Sequence, residues 1–276
     1  MDTHRQLLFF NHCYGVLDTV TADAVTNSEY LRVLANPRLR TTTGADRTWT
    51  GRYLMGRATY LELFGVGEVP GPEAALGSAG LGLSVEGSGE LRTVVDRLPS
   101  FGVPAPVEYR QTRDFGDGVP IPWFQAVFTT QTYDAFRPWG MEYEESYFDD
   151  PRSKTEPAAH PGDISRERYL NDYRGPGHLR DVTAVRIAVT PNDLDGTVPL
   201  LRAGGYTVRE RPGGIVATGE GTELRFDAVP RAAAGLRQVD LALTGPMLGT
   251  HVEQIGDSTL TVGPGPSATW TFPPNG

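Results

Sequence analysis

Cysteine, lysine and long apolar runs are all scarce in this chain of 276 residues. A single cysteine, Cys13, excludes an internal disulfide. Basic residues are outnumbered, 25 Lys and Arg against 34 Asp and Glu, and the formal net charge of -9 is relieved by no local basic cluster. A phosphate-binding surface, and with it a nucleic-acid partner, is therefore not expected. Lys154 is the sole lysine, a bias of composition that bears on no function. No apolar run approaches membrane-spanning length, and Asn11 and His12 interrupt the one near the N-terminus where a signal peptide would need an unbroken core. The expectation is a cytoplasmic protein with no membrane partner. What is abundant is turn chemistry, 33 glycines and 22 prolines, beside 39% hydrophobic and 21% charged residues. That balance describes a globular protein built of short strands, long enough for two domains.

The order of elements repeats. Leu7–Leu17 reads as a strand, Asp23–Leu34 takes helical spacing until Asn36-Pro37, and strands follow at Arg40–Thr43, Trp49–Leu54 and Thr59–Phe64. After a Pro/Gly/Ala-rich connector the order returns. Leu81–Val85 is a strand, and Ser88 stands as N-cap of a helix whose apolar face is Leu91, Val94, Val95 and Leu98. Three strands then follow within Val107–Thr112, Trp123–Thr129 and Trp139–Tyr147. Residues 151–177 have linker composition around a short helix at Ser165–Tyr173. A third copy starts at Val182–Val189, with a helix at Leu194–Ala203 and three strands to Phe226. A worn fourth copy has strands at Gln238–Leu243, Thr259–Val262 and Ala268–Phe272 and no helix. The expected fold class is α+β, tandem βαβββ modules in two domains, 1–150 and 178–276, joined by the linker 151–177.

Two strands carry the chemistry. In Tyr60-Leu61-Glu62-Leu63-Phe64, alternation puts Glu62 on one face with Tyr60 and Phe64. A carboxylate among aromatic rings must be paired, protonated or bound to a metal. Glu142, between Met141 and Tyr143, sits in a stretch of similar layout and poses the same question.

A strand, helix, three-strand module in tandem, with His12 on its first strand and Glu62 on its last, resembles the vicinal oxygen chelate superfamily of glyoxalases, extradiol dioxygenases and bleomycin-binding proteins. The words Asn11-His12, Leu17-Asp18, Trp49-Thr-Gly51, Thr59-Tyr-Leu-Glu62, Met141-Glu-Tyr143 and Ala268-Thr-Trp-Thr-Phe272 carry the resemblance to a glyoxalase-like bacterial branch. It implies a half-open barrel from each module pair. It also implies a metal held by His12, Glu62 and Glu142, with the fourth position, near Ala79, lacking a ligand. Such a set suits Fe, Mn, Co, Ni or Zn. In the third copy Arg225 stands near the place of Glu62 and Ala184 near that of His12, so no such site is expected there.

Each of these residues has a plainer reading. His12 is either a ligand or a hydrogen-bonded core histidine, and Glu62 and Glu142 are either ligands or partners of Arg52, Arg57 or Arg137. Tyr14, Tyr60, Trp123, Gln125 and Tyr143 line a substrate pocket or belong to the core, while Cys13 alternates away from His12. His160, His178 and His251 read as structural. The leading expectation is a metal-dependent, glyoxalase-like lyase or isomerase, with ring-opening dioxygenation less favoured, acting on a small oxygenated metabolite by bidentate chelation, with Glu62 or Glu142 as general base. The alternatives are a metal-free protein sequestering an aromatic natural product, or a metal-free acid–base cyclase or isomerase of secondary metabolism. Monomer and homodimer both remain open.

Overall fold

The computed structural model of the protein describes residues 5–170 and 177–275. The first half contributes β1 (Phe9–Leu17), β2 (Arg38–Thr43), β3 (Thr48–Met55), β4 (Tyr60–Gly65), β5 (Ala79–Ser84), β6 (Val107–Arg113), β7 (Ile121–Phe128) and β8 (Phe136–Tyr143). Its helices are α1 (Thr19–Asn27), α2 (Glu29–Leu34), α3 (Glu90–Arg97), α4 (Glu145–Asp149) and α5 (Arg166–Tyr169). The second half adds β9 (Leu179–Val189), α6 (Pro191–Ala203), β10 (Thr207–Arg211), β11 (Gly214–Thr218), β12 (Glu223–Ala228), β13 (Gly235–Met247), β14 (His251–Ile255), β15 (Ser258–Val262) and β16 (Gly265–Thr271).

The strands form two eight-stranded mixed sheets of identical topology, β2-β3-β4-β1-β5-β8-β7-β6 and β10-β11-β12-β9-β13-β16-β15-β14. Within the first, β1 runs parallel to β4 and β5 parallel to β8, while β1 and β5 meet antiparallel at the centre. Each sheet is thus two modules joined along their first strands, βαβββ in three of the four, and the first sheet curls into a half-barrel. This is the tandem vicinal-oxygen-chelate-like architecture read from the repeats. The fourth module, β13 to β16, passes from its first strand to its second without an intervening helix.

Boundaries shift where local chemistry outweighs periodicity. The single helix expected over Asp23–Leu34 is two helices, because Ser28 leaves helical geometry, closing α1 and capping α2 through its hydroxyl to the Leu31 N–H, 3.1 Å. The first of them starts earlier than the apolar spacing indicates: Asp18 accepts from the Thr21 N–H at 2.8 Å and starts a helix through β-branched Thr19, Val20 and Thr21. The strand expected to run to Tyr147 ends at Tyr143 and gives way to α4. The helix expected over Ser165–Tyr173 is α5, Arg166–Tyr169, and positions 171–173 of the expected span lie outside the described residues. No helix among the described residues is long and apolar enough to cross a membrane.

One hydrophobic core runs through both sheets, from Phe10, Leu61 and Phe136 to Val185, Phe226 and Trp270. Two carboxylates fasten the halves at either end of that contact. Asp181 on β9 accepts from the N–H groups of Ala58 and Thr59 and from the Thr59 hydroxyl, at 2.8 to 3.1 Å. Asp193 on α6, 3% exposed, accepts from the N–H groups of Asp134, Ala135 and Phe136 at the start of β8, at 2.9 to 3.1 Å. Charge-assisted bonds to buried N–H groups are expensive to lose, since the donors stay behind unpaired. Asp193→Ala is expected to cost roughly 3 kcal/mol or more, read as a lowered urea midpoint.

Candidate functional site

Strand pairing alone places the site. On the concave face of the first sheet, hydrogen-bonded register sets Glu62, Tyr14, Gly80 and Arg137 in one row across β4, β1, β5 and β8. A second row reads Tyr60, His12, Gly82 and Trp139. The glycines permit this crowding, because a Cβ on Gly80 would strike the Tyr14 ring, and one on Gly82 would lie 2.5 Å from the His12 imidazole and 3.1 Å from Trp139. Flat rings therefore cover the seam between the two modules. Above them opens a cavity of about 420 Å³. Tyr14, Tyr60, Phe64, Trp139 and Tyr143 form its walls, with Trp49, Phe124 and Phe128 from flanking strands, and Glu62 and His12 stand among them.

His12 lies flat on Tyr60, ring centroids 4.4 Å apart at 12°, and meets Trp139 edge-on at 5.2 Å. The register shifts between Phe10 and His12, a bulge at Asn11 that brings the Asn11 Oδ1 within 2.8 Å of His12 Nδ1. Asn11 Nδ2 donates to the Ser84 hydroxyl at 3.0 Å and the Tyr143 hydroxyl at 3.2 Å, which fixes its amide and assigns the imidazole proton to Nδ1. Burial holds the His12 pKa at about 3, so the ring is neutral.

Glu62 keeps part of its surface open to the cavity although protein surrounds it on every other side. Burial pushes its carboxyl up to about 8, and hydrogen bonds from Tyr60 and Tyr53 limit the rise. Tyr53 is itself held, opposite Glu62 across β3 and β4, by a 2.9 Å bond from Trp49 Nε1. Among the described residues no cation pairs with Glu62: Arg52 serves Glu68, Arg57 serves Glu167, and Arg137 faces Glu73. With no cation beside it among the described residues, burial favours the protonated form of the Glu62 carboxyl.

Glu142 is elsewhere. On β8 the cavity-facing residues are Arg137, Trp139, Met141 and Tyr143, so Glu142 points to the opposite face. There it accepts from the N–H groups of Gly89 and Leu91, at 2.8 and 2.9 Å, and caps α3. Ser88, the expected N-cap, is displaced by this long-range carboxylate, because Gly89 occupies the cap position and has no side chain to offer. Gln125, opposite Glu142 on β7, shares the outer face and donates to Glu144 at 3.2 Å rather than lining the cavity. Trp123 borders the cavity, but its ring stacks toward Tyr147 and lies under Arg113. Tyr14, Tyr60 and Tyr143 stand in the wall. Cys13 faces away from His12, buried in the main core, and His251 stacks on Tyr30 at 4.2 Å.

The metal set implied by the resemblance is therefore incomplete. His12 and Glu62 share the cavity, their third partner caps a helix, and among the described residues no three His, Cys, Asp or Glu side chains gather to hold an ion. Open catalytic sites ordinarily use three protein donors, which this arrangement does not supply. Sequence reasoning named Arg137 only as a candidate partner of the glutamates and Trp139 only as the start of a strand, although alternation back from Tyr143 reaches both; it missed Glu73, which lies in a single 3-10 turn, Gly71–Ala74, too short to show a period.

Comparison with curated proteins returns no match. Among solved structures, a hypothetical protein from Staphylococcus aureus is 12% identical and superposes over 94% of this chain and 100% of its own at a TM-score of 0.58, so the two share a fold. Homoprotocatechuate 2,3-dioxygenase from Arthrobacter globiformis is 12% identical, over 81% of this chain and 60% of that one, at 0.39. The 2,2',3-trihydroxybiphenyl 1,2-dioxygenase of Sphingomonas wittichii is likewise 12% identical, over 80% and 68%, at 0.39. These last two are distant likenesses of shape.

Two consequences can be measured. Between pH 4.5 and about 8 the folded protein holds a proton on Glu62 that the unfolded chain has released, so stability falls as pH rises through that window. Glu62→Gln is expected to flatten this slope by on the order of a few kcal/mol between pH 5 and 8, judged by urea midpoints; His12, whose lowered pKa acts below pH 6.5, is common to both proteins. Glu142→Ala is expected to lose about 1 kcal/mol as α3 loses its cap, with the cavity's binding unchanged by calorimetry. Residues 10–272 match the model of a family described as a family of unknown function, and this chain belongs to that family, DUF5829.

Proposed function

We propose that the cavity binds a flat, conjugated small molecule and that Glu62 gives it a proton or takes one from it, as a metal-independent acid–base isomerase or cyclase. The observation that carries this reading is a carboxyl with a pKa of about 8 at the centre of an aromatic wall. A group that titrates near physiological pH is efficient in both directions of proton transfer. Stacked rings supply apolar area at low entropic cost, and a cavity of about 420 Å³ accommodates a molecule of a few fused rings. The neutral His12, with its proton directed to Asn11, keeps a lone pair on Nε2 and so serves as a hydrogen-bond acceptor. Glu62 is thus the proton donor and His12 the acceptor of an orienting bond.

The vicinal-oxygen-chelate resemblance supports this reading in its architecture, and the two-module half-barrel has the concave face on which such a site is built. A glyoxalase-like lyase or isomerase working by bidentate metal chelation draws less support, since Glu142 is committed to α3. Proton transfer at Glu62 needs neither Glu142 nor an ion.

The test uses a neutral flat fluorophore such as prodan. Its binding to the acid form of Glu62 is expected to weaken about tenfold from pH 7 to pH 9, as a single group titrating at about 8 requires, and Glu62→Gln should remove that dependence. Affinity in the wild type that ignores pH over this range would overturn the assignment of Glu62 as donor.

A further inference from the structure

Arg137 is poorly partnered for a cation in a cavity wall. Among the described residues its guanidinium makes one polar contact, 3.5 Å to Glu73, and its buried Nε has no hydrogen-bond partner. By contrast Arg52, equally part of the half-barrel, donates to both Glu68 oxygens and to the Thr26 hydroxyl. What holds Arg137 is aromatic: its guanidinium lies over the rings of Tyr133 and Phe128, at 5.2 and 5.8 Å. The side chain is 28% exposed and lines the cavity. A planar fork of donors pre-positioned on rings, with few of them engaged, is a receptor for a planar pair of acceptor oxygens.

The neighbouring charges limit what that acceptor can be. Glu73, 8% exposed, is engaged chiefly by Arg47 at 3.0 Å, and Arg47 also lies 3.7 Å from the more exposed Asp46. Two arginines and two carboxylates already balance, so no surplus positive charge stands ready for a doubly charged phosphate, and the singly charged, planar carboxylate is the better match to the Arg137 fork. Arg137 and Glu73 also border an adjoining hollow of about 240 Å³, through which the charged end of a ligand keeps contact with solvent.

Register supplies the rest. Arg137 and Glu62 end the same row, three strand spacings apart, which is about 14 Å between backbones in a sheet with strands about 4.8 Å apart. Both side chains line the cavity, and the Tyr14 ring, folded over Gly80, lies between them in the row. We propose that the ligand is a flat aromatic monocarboxylate, anchored by its carboxylate on Arg137 with its ring system reaching toward Glu62. This rests on the reading of the cavity as a site for a flat molecule and adds the charge and orientation of its occupant.

The experiment is calorimetric titration at pH 7 with 2-naphthoate and with 2-naphthamide, which share a shape and differ in charge. The wild type is expected to bind the carboxylate at least tenfold more tightly. Arg137→Gln should bring the ratio near one and leave the amide's affinity unchanged, and Glu73→Gln, which frees both arginines, should tighten the carboxylate several-fold. Should Arg137→Gln fail to fold, the wild type still decides the matter: added NaCl should weaken the naphthoate and spare the naphthamide. Equal affinity of the two probes for the wild type would overturn the carboxylate anchor and leave the flat-ligand cavity standing. Failure of both probes to bind would overturn that cavity reading together with the anchor.

Discussion

The antiparallel seam between β1 and β5 is the constraint on which the site depends. Two modules joined along their first strands bring four strands side by side, β4, β1, β5 and β8, and their register alone decides which side chains share a row. Glycine at 80 and 82 leaves the space into which the rings of Tyr14 and His12 fold. Those rings exclude water from the neighbourhood of Glu62, and the exclusion is what raises its pKa. A side chain at either glycine would press on the aromatic floor, and the carboxyl would lose the surroundings that keep it protonated.

Much of this was legible. The repeat of strand, helix and three strands was visible because each module states its elements in order, and the face of α3 was plain in Leu91, Val94, Val95 and Leu98, of which the first three are buried in the helix and Leu98 just after it. The company of Glu62 with His12 was implied only by the resemblance, whereas Glu62 was placed on one face with Tyr60 and Phe64 by alternation within a strand, which needs no knowledge of partners. Glu142 was not, because its comparison with Glu62 was made across modules, where a register slip of one residue moves a side chain to the other face of the sheet. Glu142 and Tyr143 are neighbours on β8 and could not both line the cavity. The cap on α3 was hidden for a related reason: its acceptor comes from a strand 53 residues later than Gly89, beyond any local capping signature. Arg137 and Glu73 meet only in three dimensions.

The second sheet repeats the topology without the chemistry. At the place of the Tyr14 and Glu62 pair, the parallel register of β9 and β12 sets Arg186 beside Arg225. Arg186 and Arg211 both bond Asp227, Arg225 bonds Glu223, and Asp240 accepts from Gln238 and Thr269. A ladder of polar pairs occupies the face that in the first sheet is aromatic and hollow. The fourth module carries no helix, while α6 of the third packs on β8 and anchors its start through Asp193. The second half thus buttresses the strand that presents Trp139 and Arg137.

The account turns on the protonation of one carboxyl. Carbon-13 NMR of the side-chain carboxyl of Glu62, assigned by its disappearance in Glu62→Gln and followed from pH 4 to pH 10, measures it directly. Titration centred near 8 is the result the account predicts; titration near 4.5, the ordinary value for glutamate, would contradict it and with it the acid–base role of the cavity.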